Sequence, residues 1–339
     1  MPAFSMRVLF AGSADVSAQL LEALYLAPGV KLVGVITQPD KPAGRRQHIT
    51  PCACKVKAIK LGLEKIIATP EKINAPDSLA HIASLKPDIL VVVAYGQFLG
   101  TKLLNLPPLG CLNIHFSLLP LLRGAAPVQW AVASGFTRTG VTAMMMNEGM
   151  DSGDIVDTIE TQITPAETSV SLFPRLTEMG ASLLLRTMPN VGLGIARRTP
   201  QDHLAATFAP KLKKANGLID WSTLSAAEIE RRVRAFNPWP GCFTAYDTAG
   251  GQTKQLKIYH AAVIPGNTPH LPGQISALHP EGFVIQCRED GLLLLSIQSE
   301  GKPVRTGVEF LNGRSQLKPG DWLSESANGA RGAPPHARP

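Results

Sequence analysis

The feature that most constrains the fold is a series of short apolar runs in the first half of the chain, with helix-like segments between them. An apolar run of five or six residues suits a strand buried on both faces, and such strands occur in parallel sheets covered by helices. The predicted strands are residues 7–11, 32–36, 89–94, 111–115 and 141–146. We therefore predict an α/β domain with a Rossmann-like, largely parallel sheet and helices on both faces.

The second part of the chain has a different pattern. Ser225 and Glu228 form a capping box, and the apolar residues after them recur at helical spacing. Short alternating segments follow, separated by Gly and Pro, at residues 243–246, 256–263, 274–277, 283–287 and 292–297. Five short strands with turns of this kind favour a small β-barrel of the oligonucleotide-binding (OB) type.

The chain of 339 residues has room for two domains. We predict a first, Rossmann-like domain over residues 1–200 and a polar linker over 201–220. A second, OB-like domain is predicted over 221–325. Residues 326–339 are rich in Gly, Ala, Pro and Arg, so a disordered tail is predicted there.

Several classes of protein are disfavoured by what the sequence lacks. No apolar run reaches the ~18–20 residues of a membrane span, and no signal peptide is visible, so we expect a cytoplasmic protein that does not engage membranes. The five scattered cysteines form no CxxC pair and no zinc spacing, which argues against a disulfide framework and a structural metal. The glycine motifs GxGxxG and GxxxxGK[ST] are absent, so neither a nicotinamide dinucleotide nor a nucleoside triphosphate is indicated.

Three polar residues are candidates for catalysis. Asn113 and His115 lie two apart at the end of a predicted strand, so their side chains share one face. An amide donor beside an imidazole suits stabilisation of an oxyanion together with proton transfer. Asp151 lies in a loop flanked by glycines. Taken singly, each has a simpler interpretation, because strand-end histidines are often only hydrogen-bonded and loop aspartates usually form turns.

These three residues lie within a series of motifs: Asn-x-His at 113–115, Ser-Leu-Leu-Pro at 117–120, Arg-Gly-Ala-Ala-Pro at 123–127 and Gly-Met-Asp-Ser-Gly-Asp at 149–154. Taken together, the motifs resemble those of the 10-formyltetrahydrofolate-dependent formyltransferases. The likeness runs from about residue 6 to residue 322, and the segment Ala-Phe-Asn-Pro-Trp-Pro-Gly at 235–241 is similar to the start of the second domain in the members that act on tRNA.

The resemblance implies a reaction and a role for each candidate. A formyl group would pass from 10-formyltetrahydrofolate to the amino group of methionine esterified to initiator tRNA. Asn113 would donate a hydrogen bond to the tetrahedral oxyanion, protonated His115 would stabilise it and move a proton, and Asp151 would orient the imidazole. No metal is required. The residues implied for binding the folate are Val93, Ala94, Tyr95, Gly96, Ser117, Leu118, Leu119 and Pro120.

Basic residues are the candidates for binding tRNA. The net charge is +7, which favours a polyanionic partner without deciding it, because many proteins are this basic. By the resemblance, Arg45 and Arg46 would guide the acceptor end of the tRNA. The residues around the linker and its helix would contact the tRNA backbone; they are Lys211, Lys213, Lys214, Arg231, Arg232 and Arg234. We expect a monomer.

Three other functions remain open. A sugar-nucleotide N-formyltransferase would use the same three residues, but it would lack the motif at 235–241 and the basic linker. A non-catalytic tRNA-binding module is expected to have lost Asn113, His115 or Asp151, and all three are present. A hydrolase that releases formate would share the catalytic set. Such enzymes carry a regulatory domain before the first strand, and we expect none here.

Overall fold

The computed structural model describes residues 5–43, 48–247, 252–313 and 318–322. These residues form two compact units. The first comprises the chain up to Val128, Arg138–Ile163 and Ser171–Lys211, and the second comprises Gln129–Thr137, Thr164–Val170 and the chain from Leu212 onward. The predicted domain boundaries stay predictions, and the predicted tail at 326–339 lies outside the described residues.

The first unit is built around one seven-stranded sheet, and β3 and β4 form a separate two-stranded sheet. The strands of this unit are β1 (Met6–Gly12), β2 (Val30–Ile36), β3 (Lys41–Ala43), β4 (His48–Thr50), β5 (Ile67–Ala68), β6 (Ile89–Val93), β7 (Cys111–His115), β8 (Arg138–Met145) and β9 (Ile155–Gln162). The helices between these strands and after them are α1 (Asp15–Leu26), α2 (Ala53–Lys60), α3 (Pro76–Ser84), α4 (Thr101–Leu104), α5 (Pro127–Ala133) and α6 (Ser169–Gly192). Most of α5 and the first two residues of α6 are assigned to the second unit.

The seven-stranded sheet has the order β5-β2-β1-β6-β7-β8-β9. Its first five strands are parallel, and every residue of β6 and β7 is buried, as the apolar runs predict. This confirms the Rossmann-like, largely parallel fold. Strand β8, in contrast, is antiparallel to both β7 and β9. Only a short loop separates β8 from β9, and a loop of that length can form a hairpin but not the crossover that parallel strands need.

The second unit contains an antiparallel sheet together with the helices α7 and α8. Its sheet has the order β10-β11-β14-β13-β12, with β15 paired to β14. Within the part of the chain that the structure describes, no pairing of β10 with β12 closes the sheet, so the antiparallel β domain is confirmed while its closure as a barrel stays a prediction. The elements are α7 (Ala226–Phe236), β10 (Cys242–Asp247), β11 (Thr253–Ile264), β12 (Ile275–His279), β13 (Gly282–Gln286), β14 (Gly291–Ser299), β15 (Arg305–Thr306) and α8 (Gly307–Asn312).

Candidate active site

The backbone at the end of β6 is held by side chains from the first turn of α1 and from the loops that follow β1 and β2. The Ser17 hydroxyl donates to the Val93 carbonyl at 2.6 Å. The Tyr95 carbonyl accepts from the Ser13 hydroxyl at 3.1 Å and from the Gln38 amide at 3.2 Å. These bonds fix the first four residues predicted to bind the folate at the carboxyl edge of the parallel strands, where α/β sheets bind their ligands.

The site is bordered by backbone in the left-handed region. Ala94 has φ of +42°, Leu122 has φ of +59° and Asp151 has φ of +47°. Only two other described non-glycine residues have positive φ, Lys86 and Asp290. Each such residue costs of order 1–3 kcal/mol and persists only where its surroundings impose it, which happens most often at functional sites.

Strand β7 presents the two predicted catalytic side chains, and both are buried. In the described part of the chain, no protein group hydrogen-bonds the Asn113 amide, so its donors are free for a substrate oxygen. His115 Nε2 lies 3.0 Å from the Leu122 carbonyl oxygen. Because a carbonyl can only accept, Nε2 must carry a proton. His115 Nδ1 faces Asp151 Oδ2 at 3.6 Å.

The loop between β8 and β9 brings Asp151 to this histidine. The Gly124 amide donates to Asp151 Oδ2 at 2.7 Å, which fixes the carboxylate beside the imidazole. Gly153 allows the loop to pass β8, since a Cβ on Gly153 would lie 1.7 Å from the Met145 carbonyl oxygen. The site thus combines a free amide donor and an imidazole, which are buried on the same face of β7, with the partly buried carboxylate of Asp151, which faces the imidazole.

The residues 117–120 follow β7 directly and are tied to β8. Thr142 Oγ1 donates to the Ser117 carbonyl at 2.6 Å and accepts from the Leu119 amide at 3.2 Å. The Ser117 hydroxyl donates to the Leu121 carbonyl at 2.6 Å. This second predicted folate-binding segment is therefore ordered by a threonine that the sequence analysis did not single out.

A cavity of about 550 Å³ opens beside Gly96 at the same edge of the sheet. Two amide side chains hold its walls together: Asn74 bonds the backbone of Phe98 and Gly100, and Gln97 bonds the backbone of the segment 70–73. Of the predicted folate-binding residues, only Gly96 lines this cavity. Its lining residues are Gln38, Glu71, Lys72, Ile73, Asn74, Ala75, Gly96, Gln97 and Phe98.

The predicted tRNA-binding residues differ in their solvent exposure and in the bonds that they form with other groups of the protein. Lys211, Lys213 and Lys214 are exposed. Arg231, Arg232 and Arg234 on α7 are half-buried, and Arg234 forms an ion pair with Glu230 and donates to the Glu167 carbonyl at 2.6 Å. The Arg234 guanidinium is thus largely occupied by partners within the second unit. Arg45 and Arg46 lie outside the described residues.

Four of the five cysteines are buried and poorly suited to act as nucleophiles. Burial raises the pKa of the Cys54, Cys111, Cys242 and Cys287 thiols to about 12, so they stay protonated near neutral pH. Among the described residues, no group of three His, Cys, Asp or Glu side chains is arranged to hold a metal ion. No described helix is both long and apolar enough to cross a membrane.

The chain matches two family models over most of its length. Residues 6–188 match the formyl transferase family, and residues 211–315 match the formyl transferase C-terminal domain. The methionyl-tRNA formyltransferase of Pseudoalteromonas translucida is 41% identical over 95% of this chain and 98% of its own length. That of Desulforamulus reducens is 41% identical over 94% of this chain and 98% of its own length.

Solved structures with a similar fold include two that were determined with folates. HypX from Aquifex aeolicus in complex with tetrahydrofolic acid matches with a TM-score of 0.56 and 19% identity, over 91% of this chain and 47% of HypX. The sugar 3N-formyl transferase WlaRD, crystallised with dTDP and 5-N-formyl-THF, matches with a TM-score of 0.60 and 15% identity, over 88% of this chain and 99% of WlaRD. At such identities the likeness concerns the fold alone.

Proposed function

This chain belongs to the formyltransferase family, and on that premise we propose that Asn113, His115 and Asp151 transfer a formyl group from 10-formyltetrahydrofolate to the amino group of methionyl-tRNA. The observation that carries this assignment is a buried amide donor, Asn113, on the same face of β7 as a buried histidine, His115, whose Nδ1 lies 3.6 Å from the partly buried carboxylate of Asp151. The relatives that match this chain from end to end support methionyl-tRNA as the acceptor.

The bound folate supplies the formyl carbonyl that the methionyl amine attacks. The residues 93–96 and 117–120 would hold it, and they fit this task because both segments are fixed by buried hydrogen bonds next to Asn113. The Asn113 amide then faces a folate that is held in one place. A donor arranged in advance in this way stabilises developing charge without having to reorient during the reaction.

The protein side chains then have separate tasks. The Asn113 amide donates to the oxygen that becomes negative as the amine attacks. His115 would pass the proton that the amine loses to the folate nitrogen, so that the bond from this nitrogen to the formyl carbon can break and tetrahydrofolate can leave. The Asp151 carboxylate, held by the Gly124 amide, keeps the imidazole in place.

The second unit contributes to binding of the tRNA. Lys213 and Lys214 are exposed there, and Lys211 is exposed at the end of the first unit. Phosphate contacts of this kind release counterions, so tRNA affinity should fall steeply as salt is raised. We propose initiator methionyl-tRNA as the specific acceptor, and a monomer in the cytoplasm as the working form.

The first experiment compares acceptors. Purified protein is incubated with 10-formyltetrahydrofolate and one of three acceptors: methionyl initiator tRNA, methionyl elongator tRNA or a 4-amino sugar nucleotide. We expect formylation of the initiator tRNA alone. Transfer to the sugar, or formate release without an acceptor, would contradict the acceptor assignment. Binding of tRNA without any turnover would contradict catalysis.

The second experiment tests the tRNA contacts. Lys213→Ala is compared with Lys65→Ala, which removes an exposed lysine from a different part of the chain. Each phosphate contact accounts for about 0.7–0.9 of the slope of log affinity against log salt. We expect a shallower slope for Lys213→Ala and an unchanged slope for Lys65→Ala. Equal slopes in both variants would remove Lys213 from the interface.

A further inference from the structure

Arg123, next to the catalytic residues, is a buried arginine that is 5% exposed. It donates from Nε and Nη2 to the Gln201 carboxamide oxygen, at 3.1 and 2.7 Å, and from Nη2 to His203 Nδ1 at 3.1 Å. No carboxylate forms an ion pair with it within the described chain. The group that makes the most hydrogen bonds with this buried charge is thus the uncharged amide of Gln201. Gln201 has no part in the reaction described above.

Gln201 joins that guanidinium to the loop of Asp151. Its Nε2 donates to the Asp151 carbonyl at 3.0 Å and to the Gly153 carbonyl at 2.7 Å. A guanidinium has only donors, so it fixes the carboxamide with the oxygen towards Arg123 and the nitrogen towards the two carbonyls. Both hydrogens of Nε2 are satisfied, and the side chain is 6% exposed. The amide therefore has one orientation, and it hydrogen-bonds the loop on both sides of Ser152.

The backbone around Arg123 reaches the other side of the same cluster. Leu122 supplies the carbonyl that faces His115 Nε2, and Gly124 supplies the amide that binds the Asp151 carboxylate. Backbone bonds of 2.9 and 2.7 Å tie Arg123 to the segment 207–209. One short stretch of chain thus holds the imidazole and the carboxylate by its backbone, while its side chain holds the Asp151 backbone through Gln201.

We propose that Gln201, oriented by Arg123, is a positioning residue that keeps Asp151 in its left-handed conformation with the carboxylate against His115. Asp151 has φ of +47°, a conformation that its surroundings must impose. The Gly124 amide holds the carboxylate, and Gln201 holds the main chain, so the two together determine where the carboxylate lies. This inference rests on the proposed role of Asp151 in formyl transfer.

Two substitutions separate the functions of the Gln201 amide. Gln201→Met keeps the approximate shape and removes all four hydrogen bonds. Gln201→Glu keeps an acceptor for Arg123 but places an oxygen against the Asp151 and Gly153 carbonyls. Because a displacement of about 1 Å can lower turnover by about 100-fold, we expect both variants to lose about 10- to 100-fold in single-turnover rate. The KM for each substrate should stay within about threefold, since no substrate contact is removed.

A double-mutant cycle distinguishes positioning from a general structural effect. If Gln201 acts through Asp151, Gln201→Met should cost less than about threefold in a chain that already carries Asp151→Ala. Independent losses that multiply in the double variant would overturn the inference. So would a single Gln201→Met or Gln201→Glu variant whose turnover stays within twofold of the unsubstituted protein.

The chain offers a matched control in the second unit. Gln286 is also a buried glutamine, 3% exposed, whose amide bonds side chains and carbonyls around it. Gln286→Met should lower stability without lowering the single-turnover rate at saturating tRNA. An equal loss of turnover in Gln286→Met would assign the Gln201 effect to weakened folding and overturn the inference.

The outcomes also separate this inference from the proposed function. If Asp151→Ala keeps normal turnover, the catalytic assignment fails and positioning of Asp151 has no purpose. If Asp151→Ala is inactive while Gln201→Met is fully active, only the inference about Gln201 fails. Circular dichroism checks that each variant is folded, and Gln201→Glu carries the test if Gln201→Met does not fold.

Discussion

The start of α7 and the loop of Asp151 both hold a carboxylate by backbone amides, but they are built in opposite ways. At α7, the Ser225 amide and hydroxyl donate to Glu228 at 2.8 and 2.9 Å, so the capping bonds join residues three apart; a distant partner, Arg288, adds only an exposed contact at 3.4 Å. Around Asp151, the partners Gly124 and Gln201 lie 27 and 50 residues away. The first arrangement needs only local sequence, whereas the second exists only once the first unit has folded.

The difference extends to backbone conformation. Ser225 has φ of −73°, an ordinary value for the residue that caps a helix, whereas Asp151 has φ of +47°. A cap of ordinary geometry stabilises its own helix. An aspartate in the left-handed region has a cost in free energy, which contacts elsewhere in the fold must offset. We infer that substitutions in the Asp151 loop affect turnover most, and substitutions at the α7 cap affect only local stability.

The largest effect is expected in the catalytic cluster itself. Loss of one oxyanion donor typically raises the barrier by ~2.7–4 kcal/mol, so Asn113→Ala should lower kcat by about 100- to 1,000-fold. Asp151→Ala should also lose at least about 100-fold, because the imidazole is then no longer held in place. Formylation of initiator methionyl-tRNA at saturating substrates measures both. The exposed Asn105 provides the control, since Asn105→Ala should keep normal turnover. Near-normal turnover of Asn113→Ala would remove that residue from the mechanism.

A substitution beside Asp151 is expected to have the next largest effect. In Gly153→Ala the new Cβ would lie 1.7 Å from the Met145 carbonyl oxygen, so the backbone must shift. Such forced shifts typically cost about 1–3 kcal/mol. Hydrogen exchange of the Met145 amide, which donates to the Asp154 carbonyl at 2.9 Å, reports the opening of this hairpin and should accelerate. Turnover should fall with it.

Gly149 in the same loop is the control for Gly153. A Cβ on Gly149 meets only side-chain atoms, the nearest being Ser152 Oγ, which can rotate away. Gly149→Ala should therefore leave exchange at Met145 nearly unchanged. Equal acceleration in the two variants would mean that the loop tolerates no side chain at either position, and that the close contact at Gly153 is not the cause.

The same contrast explains what the sequence predicts and what it does not. The capping box at Ser225 and Glu228 is a local pattern, and the structure confirms it. Asn113 and His115 are predictable as a pair because a strand places alternate residues on one face. Thr142 and Gln201 carry no local signal, because their bonds to the site join residues 23 to 78 positions apart. The edge strand β9 is not predicted either, because none of its eight residues is buried and five of them are polar.

The α7 cap is expected to show a smaller, purely thermodynamic effect. Replacing a serine cap by alanine typically costs ~1 kcal/mol of stability, so Ser225→Ala should lower the free energy of unfolding of the second unit by about that amount. All four tryptophans lie in that unit, and their fluorescence during urea unfolding therefore follows it selectively. Ser225→Asp retains a capping oxygen and serves as the control. A change in kcat for Ser225→Ala would break the distinction between the two regions.

The smallest expected effect is the contribution of Glu228 to the free energy of unfolding, and this contribution should depend on pH. The hydrogen bond from the Ser225 amide holds the pKa of Glu228 below its ordinary value of 4.5. A carboxyl group whose pKa is lowered on folding adds stability above its unfolded pKa, and this addition is lost as the pH falls through the folded value. The difference in unfolding free energy between the unsubstituted chain and Glu228→Gln should thus be constant near neutral pH and shrink below about pH 4.5.

Urea titrations at pH 7 and at steps down to pH 3 measure this difference. A difference that stays the same at pH 3 would show that the Glu228 side chain stabilises α7 by packing, with no contribution from its charge.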